Sequence, residues 1–226
     1  NSRTGKPLMR PLFFEEPTNQ SLYTKADGYL WGNNFLIYPI LQAAQKTKEI
    51  YFPKGSNWFD FYTNRLYEGG STHDLATFEN HIPTFVRAGS VIPMTENLQN
   101  TEEYANQNLI FHYYYDETIV EEKAQNFYFE DEKTPSNNEN ENYFTIDFET
   151  EKEGKWLEID IEKQIAKNYL LKPLENYKVV VHNINTMPKK YKIKGSTTTY
   201  NYDKLDRSCT FIFKELKDKT EIRIKL

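Results

Sequence analysis

Residues 51–94 read YFPKGSNWFDFYTNRLYEGGSTHDLATFENHIPTFVRAGSVIPM, and this stretch decides the fold. Apolar and β-branched residues alternate with polar ones in the runs 57–62 and 84–87, and Gly, Pro or Asn bounds each run. Such alternation is typical of short strands with one buried face. The stretch therefore predicts a β-structure that folds back on itself several times.

Turn-forming residues separate these strands. Pro53 fixes its own φ shortly before Gly55, which tolerates positive φ. Asn64 tolerates the left-handed conformation in a hairpin, and Gly89 does the same before the next apolar run. The sequence predicts a chain reversal at each of these places.

The same stretch carries a family resemblance. The patterns YFPxGxxWFDF at 51–61, GG at 69–70 and IPxFVRAGSVIP at 82–93 resemble the β-sandwich that follows the catalytic barrel in family 31 glycoside hydrolases. These enzymes are α-glucosidases and α-xylosidases. Upstream, GKPLMRPLFFEEP at 5–17 resembles the last barrel strand of the family, and YLWGNNFLIYP at 29–39 resembles the segment that enters the sandwich.

Short apolar runs continue beyond residue 108 at regular spacing, which predicts a second β-sandwich. A faint helical pattern covers residues 162–171. Residues 127–132 (FYFEDE) and 187–191 (MPKKY) resemble parts of the distal C-terminal domain of the family. The predicted strands are 109–115, 124–130, 143–149, 156–161, 177–182, 191–194, 197–202, 209–213 and 221–226.

The predicted fold class is all-β, with two consecutive antiparallel β-sandwiches and a short N-terminal remnant of a (β/α)8 barrel. We assign residues 1–34 to the barrel end and a linker, and 35–96 to the proximal sandwich. A second linker then covers 97–107, and the distal sandwich covers 108–226. Without the rest of a barrel, residues 9–14 are expected to pack irregularly on the sandwich or to be poorly ordered. We expect the chain to be a C-terminal piece of a larger enzyme.

Composition excludes several classes of protein. The 28 Lys and Arg against 33 Asp and Glu give a net charge of −5, so no basic excess is present to bind nucleic acid. No apolar run approaches the ~20 residues of a membrane helix, and we expect a soluble chain without a membrane partner. The compartment of the parent enzyme stays open between periplasmic, secreted and cytoplasmic.

The resemblance implies that catalysis lies outside this chain. A retaining glycosidase needs two carboxyl groups about 5–5.5 Å apart, and the family carries both on earlier barrel strands. Asp60 follows Trp58 with the spacing of the family nucleophile motif, but within the sandwich pattern it is expected to be solvated or bonded to a turn. We therefore predict no catalytic residue, no cofactor and no activity of the chain alone.

A metal site is not predicted either. The histidines His73, His81, His112 and His182 lack the i, i+4 spacing and the cysteine partners of a zinc site. The single cysteine, Cys209, lies among apolar residues and is expected to be a small buried hydrophobic residue.

Phe14, Glu15 and Glu16 follow the barrel-strand pattern and are candidates for the rim of the sugar pocket in the intact enzyme. The alternative is that both carboxylates face solvent or bind the backbone of a neighbouring loop, and the residues alone favour it.

Aromatic residues suggest a second kind of site. Tyr113, Tyr114, Tyr115 and Trp156 are candidate sugar-stacking residues. Consecutive residues of a strand point to opposite faces, so at least one of the three tyrosines is expected outside the core. The alternative is a cross-strand pair with another aromatic ring.

The resemblance implies a non-catalytic C-terminal region of an enzyme that hydrolyses α-glucosides or α-xylosides by a retaining mechanism. Its expected role is to support the barrel and to contribute to substrate binding. The expected partner is the catalytic barrel, with an oligosaccharide as a further candidate. The alternatives are an independent carbohydrate-binding module and a protein-interaction module.

Overall fold

The chain forms two compact units of β-structure, Asn1–Ala88 and Gly89–Leu226. The computed structural model describes residues 5–96, 98–100, 108–119, 126–131, 143–166, 175–215 and 217–226. Within these ranges it contains eighteen strands and two short 3₁₀ helices. The predicted all-β fold class is confirmed. No helix in the described residues is long and apolar enough to cross a membrane.

The first unit contains a six-stranded sheet in the order β1-β2-β3-β8-β5-β6 and a separate β4-β7 pair. The 3₁₀ helices cover Leu12–Phe14 and Gln20–Thr24. Trp58, Phe52 and Phe85 are fully buried in its core. The strands are β1 (Met9–Pro11), β2 (Tyr29–Trp31), β3 (Phe35–Ile37), β4 (Thr47–Tyr51), β5 (Trp58–Asp60), β6 (Leu66–Tyr67), β7 (Thr72–Ala76) and β8 (Thr84–Arg87).

The predicted turn residues adopt the backbone conformations for which they were selected. Gly55 has φ 86°, Asn64 has φ 56° and Gly89 has φ 83°. Asp60 supports the Asn64 turn, since its carboxylate accepts hydrogen bonds from the Tyr62 and Thr63 N–H groups at 2.9 and 2.8 Å. The prediction that Asp60 is a turn-bonded residue is confirmed.

The N-terminal segment does not form a barrel-like strand. Strand β1 pairs antiparallel with β2 at the edge of the sheet, and the chain then turns into a 3₁₀ helix. Leu12 is fully buried in the core of the first unit, so the segment is an integral part of that unit. The remnant is thus an edge strand followed by a helical turn, not a parallel strand buried on both faces.

The second unit contains two five-stranded sheets, ordered β16-β17-β14-β10-β9 and β11-β12-β13-β18-β15. Among the described strands of this unit, β10 and β14 pair in parallel and the other neighbours pair antiparallel, so one pair differs from the predicted antiparallel arrangement. Side chains from both sheets form one core, which includes Phe111, Phe148 and Phe211. The strands are β9 (Val91–Thr95), β10 (Leu109–Tyr114), β11 (Asn126–Asp131), β12 (Tyr143–Glu153), β13 (Trp156–Ile165), β14 (Glu175–His182), β15 (Tyr191–Lys194), β16 (Thr198–Asp203), β17 (Ser208–Glu215) and β18 (Lys219–Lys225).

Two sequence expectations differ from the structure. The boundary between the units lies at Ala88 and Gly89 instead of within 97–107, because β9 pairs with β10 and Val91 joins the second core. Of the expected linker, only residues 98–100 are described. The helical expectation for 162–171 is wrong up to Ile165, which lies in β13 opposite Phe144, and residues 167–171 lie outside the described residues.

Candidate functional site

Glu15 lies between two guanidinium groups of the first unit. Its carboxylate contacts Arg87 at 2.9 Å and Arg10 at 3.8 Å. Arg10 is buried and also donates hydrogen bonds to the carbonyl oxygens of Pro7 and Gly32 at 3.0 and 2.7 Å. Glu15 therefore neutralises a buried cation, and in this structure its charge has a structural partner.

Arg87 completes this network from strand β8. Its Nε donates to the Asn33 carbonyl oxygen at 2.8 Å, and its guanidinium lies 4.4 Å from the centroid of the buried Trp58 ring. The side chain is thus fixed by an ion pair, a backbone hydrogen bond and a cation–π contact. This geometry links the N-terminal segment to the middle of the six-stranded sheet.

Glu16 binds a neighbouring loop. Its carboxylate accepts hydrogen bonds from the Tyr51 hydroxyl at 2.6 Å, the Lys54 N–H at 2.9 Å and the Asn19 amide at 3.2 Å. Burial raises the pKa of Glu16, but these hydrogen bonds outweigh it and hold the pKa below its ordinary value. The alternative interpretation, a carboxylate bound to a loop backbone, describes this arrangement, while a role at a sugar rim stays a prediction.

Phe14 is an exposed ring beside these carboxylates. It lies 5.3 Å from Phe13, which stacks on the exposed Tyr23 at 4.9 Å with a 5° angle between the ring planes. The structure therefore places all three rim candidates at one end of the first unit. Phe14 is 43% exposed, whereas the Glu15 side chain is 18% exposed.

The three consecutive tyrosines do not form a sugar-stacking face. Tyr113, Tyr114 and Tyr115 are only 2, 1 and 5% exposed. Tyr113 and Tyr115 belong to the core of the second unit, whereas Tyr114 is buried but is not part of that core cluster. Tyr114 is the cross-strand partner of His182, so it matches the alternative of a cross-strand pair with another aromatic ring. The ring of Tyr114 stacks on that of His182 at 4.7 Å.

Trp156 is half-buried on the outer face of the sheet formed by β11, β12, β13, β18 and β15. Cationic groups surround its ring, with Lys192 Nζ at 5.6 Å, Arg223 Cζ at 5.8 Å and Lys225 Nζ at 6.0 Å from the centroid. These side chains compete with a sugar for the π face. Its role as a sugar-stacking residue stays a prediction.

The structure brings together two histidines that are 70 residues apart in the sequence. His112 Nδ1 lies 2.9 Å from His182 Nε2, which is a hydrogen bond in which one nitrogen carries the proton and the other accepts it. Burial lowers the pKa of His112 to about 4 and that of His182 to about 3. The strands β10 and β14 that carry them are parallel neighbours, a pairing that no local sequence signal predicts.

Comparison with known protein families matches the first unit to a known domain. Residues 5–92 match the model of the glycosyl hydrolase family 31 C-terminal domain. The resemblance that was based on the patterns at 5–17, 29–39 and 51–93 is thereby confirmed.

Relatives of the family 31 domain are enzymes of greater length. The chain is 40% identical over 99 residues to alpha-glucosidase 2 of Bacillus thermoamyloliquefaciens, covering 44% of this chain and 12% of that protein. It is 37% identical over 101 residues to an alpha-xylosidase of Saccharolobus solfataricus, covering 44% of this chain and 14% of that protein. The chain thus matches about an eighth of the length of these relatives.

The fold likeness extends through both units. A family 31 dextranase of Flavobacterium johnsoniae, solved with isomaltotriose, matches with a TM-score of 0.87 and 19% identity. The match covers 99% of this chain and 29% of the dextranase. The second unit therefore shares its fold with a part of that enzyme, beyond the end of the family 31 C-terminal domain match.

The second unit contains a group of three neighbouring carboxylates, and we compared its geometry with that of a glycosidase pair. Carboxylate oxygens of Glu158, Asp160 and Glu221 all lie within 4.8 Å of one another. Burial and then Glu221 raise the pKa of Asp160, and burial also raises that of Glu158. Arg223 Nε lies 3.0 Å from Glu158, and Lys194 Nζ lies 2.7 Å from Glu221.

These carboxylates do not have the geometry of a glycosidase pair. Leu157, Ile159 and Ile161 of the same strand point into the core, so Glu158 and Asp160 project from the outer face of the sheet. A retaining pair stands on opposite sides of a glycosidic bond, whereas Asp160 and Glu221 are direct cross-strand neighbours. The group is an ion-pair network on a sheet surface.

Proposed function

We propose that this chain is the C-terminal β-sandwich region of a retaining α-glycoside hydrolase that acts on α-glucosides or α-xylosides. Its function is to support the catalytic barrel, and the chemistry resides in residues outside the chain. The observation that carries this proposal is the family 31 C-terminal domain at residues 5–92. The α-glucosidase and α-xylosidase that match the chain support the substrate class.

The edge of the first unit supports a docking role. Strand β1 is the outermost strand of the six-stranded sheet, which leaves one row of its backbone groups unpaired within that sheet. Met9 of β1 faces Trp31 of β2, and both side chains are about half exposed, at 59 and 49%. Leu8 and Phe14 add exposed apolar surface on either side of β1. A partner that covers this edge removes the apolar surface from water.

The anchoring of residues 9–16 is the second structural support. Glu15 and Glu16 bind Arg87, Tyr51 and the Lys54 backbone, so the segment after β1 is held in one orientation. In an intact enzyme this segment would follow the last barrel strand. A barrel attached to a rigid segment is held in a defined position on the sandwich.

Catalytic inactivity of the isolated chain can be tested with aryl α-glucoside and aryl α-xyloside substrates. We expect no turnover above that of buffer at any pH between about 3 and 8, a range that spans ordinary carboxyl pKa values of about 4. Turnover that is abolished by Asp160→Asn would overturn the proposal, because it would make the surface carboxylates catalytic.

Docking can be tested with the sequence that precedes the chain in its gene. If that sequence encodes a (β/α)8 barrel, the barrel and this chain are produced as separate polypeptides, and their association is measured by calorimetry. Met9→Asp is expected to abolish association, whereas Leu205→Asp is the matched control at a residue that is 93% exposed in the other unit. Equal association of both variants would refute docking at the β1 edge.

The alternative of a carbohydrate-binding module has its best support in the first unit. An open cleft lies between the β3–β4 and β7–β8 loops, and aromatic rings border it. Saturable oligosaccharide binding by the chain would favour this function in addition to support of the barrel.

A further inference from the structure

The cleft of the first unit is defined by two loops that are tied together at both ends. At one end, the Thr77 N–H donates to the Lys46 carbonyl oxygen at 2.9 Å, and the Thr77 hydroxyl donates to the Gln45 carbonyl oxygen. At the other end, the Tyr38 N–H donates to the Pro83 carbonyl oxygen at 3.0 Å. The cleft is therefore built into the fold and does not depend on a ligand to form.

An aromatic stack forms one side of this cleft. The Phe78 ring lies 5.0 Å from the His81 ring with a 29° angle between the planes, and His81 lies 4.1 Å from Tyr62. Phe78 and His81 also form an isolated β-bridge, which fixes the backbone that carries both rings. Yet Phe78 remains 58% exposed and Tyr62 46% exposed. The protein holds these rings in place without burying them.

Polar side chains with free hydrogen-bonding capacity share the lining of the cleft. Gln42, Lys46 and Glu79 border it, and within the described part of the chain their side-chain polar atoms have no hydrogen bond or ion pair. An amide both donates and accepts, which matches the dual character of a hydroxyl group. One Lys and one Glu balance in charge, so the lining favours a neutral ligand over a phosphate or another anion.

The size of the cleft and its backbone also indicate a binding site. The volume is about 470 Å³, within the range of small-molecule sites of about 300–1,000 Å³. Ala44 in the lining has φ 57°, a left-handed conformation that is uncommon for a residue with a Cβ. Such backbone strain concentrates at ligand sites.

We propose that this cleft binds a neutral hexopyranose unit of an oligosaccharide. The apolar face of the sugar ring lies on the Phe78 ring, and its hydroxyl groups bond to Gln42 and Glu79. Exposed rings with adjacent amide and carboxylate groups match a ligand that has one apolar face and a polar rim. That the sugar is α-linked glucose rests on the proposed function, whereas its neutral pyranose character rests on the cleft.

Titration calorimetry of the 226-residue chain with maltotriose and isomaltotriose tests the proposal. We expect saturable binding of at least one trisaccharide. Phe78→Ala is expected to weaken it about tenfold, because the ring supplies the apolar contact. Gln42→Ala provides a second variant that removes only polar contacts and is expected to weaken binding about threefold.

The matched control is Phe129→Ala in the second unit. Phe129 is 48% exposed and stacks on Tyr143 at 5.4 Å, so the substitution removes a ring of similar exposure and packing. Unchanged affinity of this variant, with circular dichroism showing all variants folded, supports the cleft as the site.

Three results would overturn the proposal. They are the absence of saturable binding by the folded chain, equal affinity of Phe78→Ala and the unsubstituted chain, and loss of binding on Trp156→Ala alone. None of these results affects the test of docking at the β1 edge, which depends on Met9. Failure of the sugar site and failure of the proposed supporting function are therefore distinguishable.

Discussion

Replacing Glu15 with Gln should destabilise the first unit strongly. The substitution keeps the shape of the side chain but removes the negative charge that faces Arg10 and Arg87. Arg10 is 2% exposed, so its guanidinium would then be a buried cation without a countercharge from this position. A charge of this kind is costly in a protein interior.

The magnitude follows from the burial of the three groups. Breaking a fully buried ion pair costs about 3–5 kcal/mol. Glu15 and Arg87 are 18 and 21% exposed, and Arg10 keeps its hydrogen bonds to Pro7 and Gly32. We therefore expect a loss of about 2–3 kcal/mol. For a unit of this size the loss corresponds to a decrease of roughly 10–20 °C in Tm.

Tryptophan fluorescence during thermal unfolding can isolate this effect. In a Trp156→Phe background the remaining tryptophans, Trp31 and Trp58, both lie in the first unit. Glu49→Gln is the matched control, since Glu49 pairs with Lys25 at 2.8 Å on the surface, where such pairs contribute about 0–1 kcal/mol. Equal decreases in Tm for both variants would refute the argument that Glu15 neutralises a buried charge.

Three further predictions concern pH, each measured from urea unfolding midpoints. The lowered pKa of Glu16 adds stability that is present above its unfolded pKa and is lost as pH falls through its folded pKa, so Glu16→Gln should destabilise the first unit more at pH 7 than at pH 3; an equal loss at both would contradict this. The raised pKa of Asp160 penalises its ionised form, so Asp160→Asn should stabilise the second unit at pH 7, and this gain should vanish below the unfolded pKa of about 3.9; no gain at pH 7 would oppose it. Because the lowered pKa values of His112 and His182 disfavour protonation in the folded state, the second unit should lose stability as pH falls below about 6.5, and replacing both with Gln should remove most of this slope; an unchanged slope would exclude the pair as its cause.

Local signals in the sequence were sufficient for the strands and the turns. Alternation predicted β15 at 191–194 with its observed bounds, and most other strands of the second unit within a few residues. Gly55 and Asn64 were predicted from their tolerance of positive φ, which is a property of the residue itself. These features depend on neighbours in the sequence, so one sequence suffices to predict them.

The pairing of strands that lie far apart in the sequence could not be predicted from local patterns. The contact between His112 and His182 depends on β10 and β14 being parallel neighbours, and parallel strands need a crossover whose partner is not encoded locally. The burial of Tyr114 depends on its second face also being covered, which alternation along a strand does not reveal. The predicted boundary between the units also lies too far towards the C-terminus, because local patterns do not show that β9 pairs with β10.

Two glycines show why the sequence of the first unit is recognisable. A Cβ on Gly69 would lie 2.2 Å from the Ser56 carbonyl oxygen, and one on Gly28 would lie 2.4 Å from the buried Tyr38 ring. The φ of Gly28 is not in the left-handed region, so close packing is the reason for this glycine. At such positions no residue with a side chain fits without a shift of its neighbours.

The fold of the second unit places weaker requirements on its sequence than the fold of the first unit does. This difference helps to separate residues that serve packing from residues that could bind a ligand. The long ladder between β12 and β13 requires only that inward positions be apolar, and many sequences satisfy that condition. The family patterns of the first unit, by contrast, describe packing and turns, as Asp60 and Gly69 show. Phe78 and Gln42 lie outside those patterns and outside the core, so packing does not explain the exposed ring or the amide, which has no hydrogen bond within the described residues. A ligand that meets both groups explains their position at one cleft.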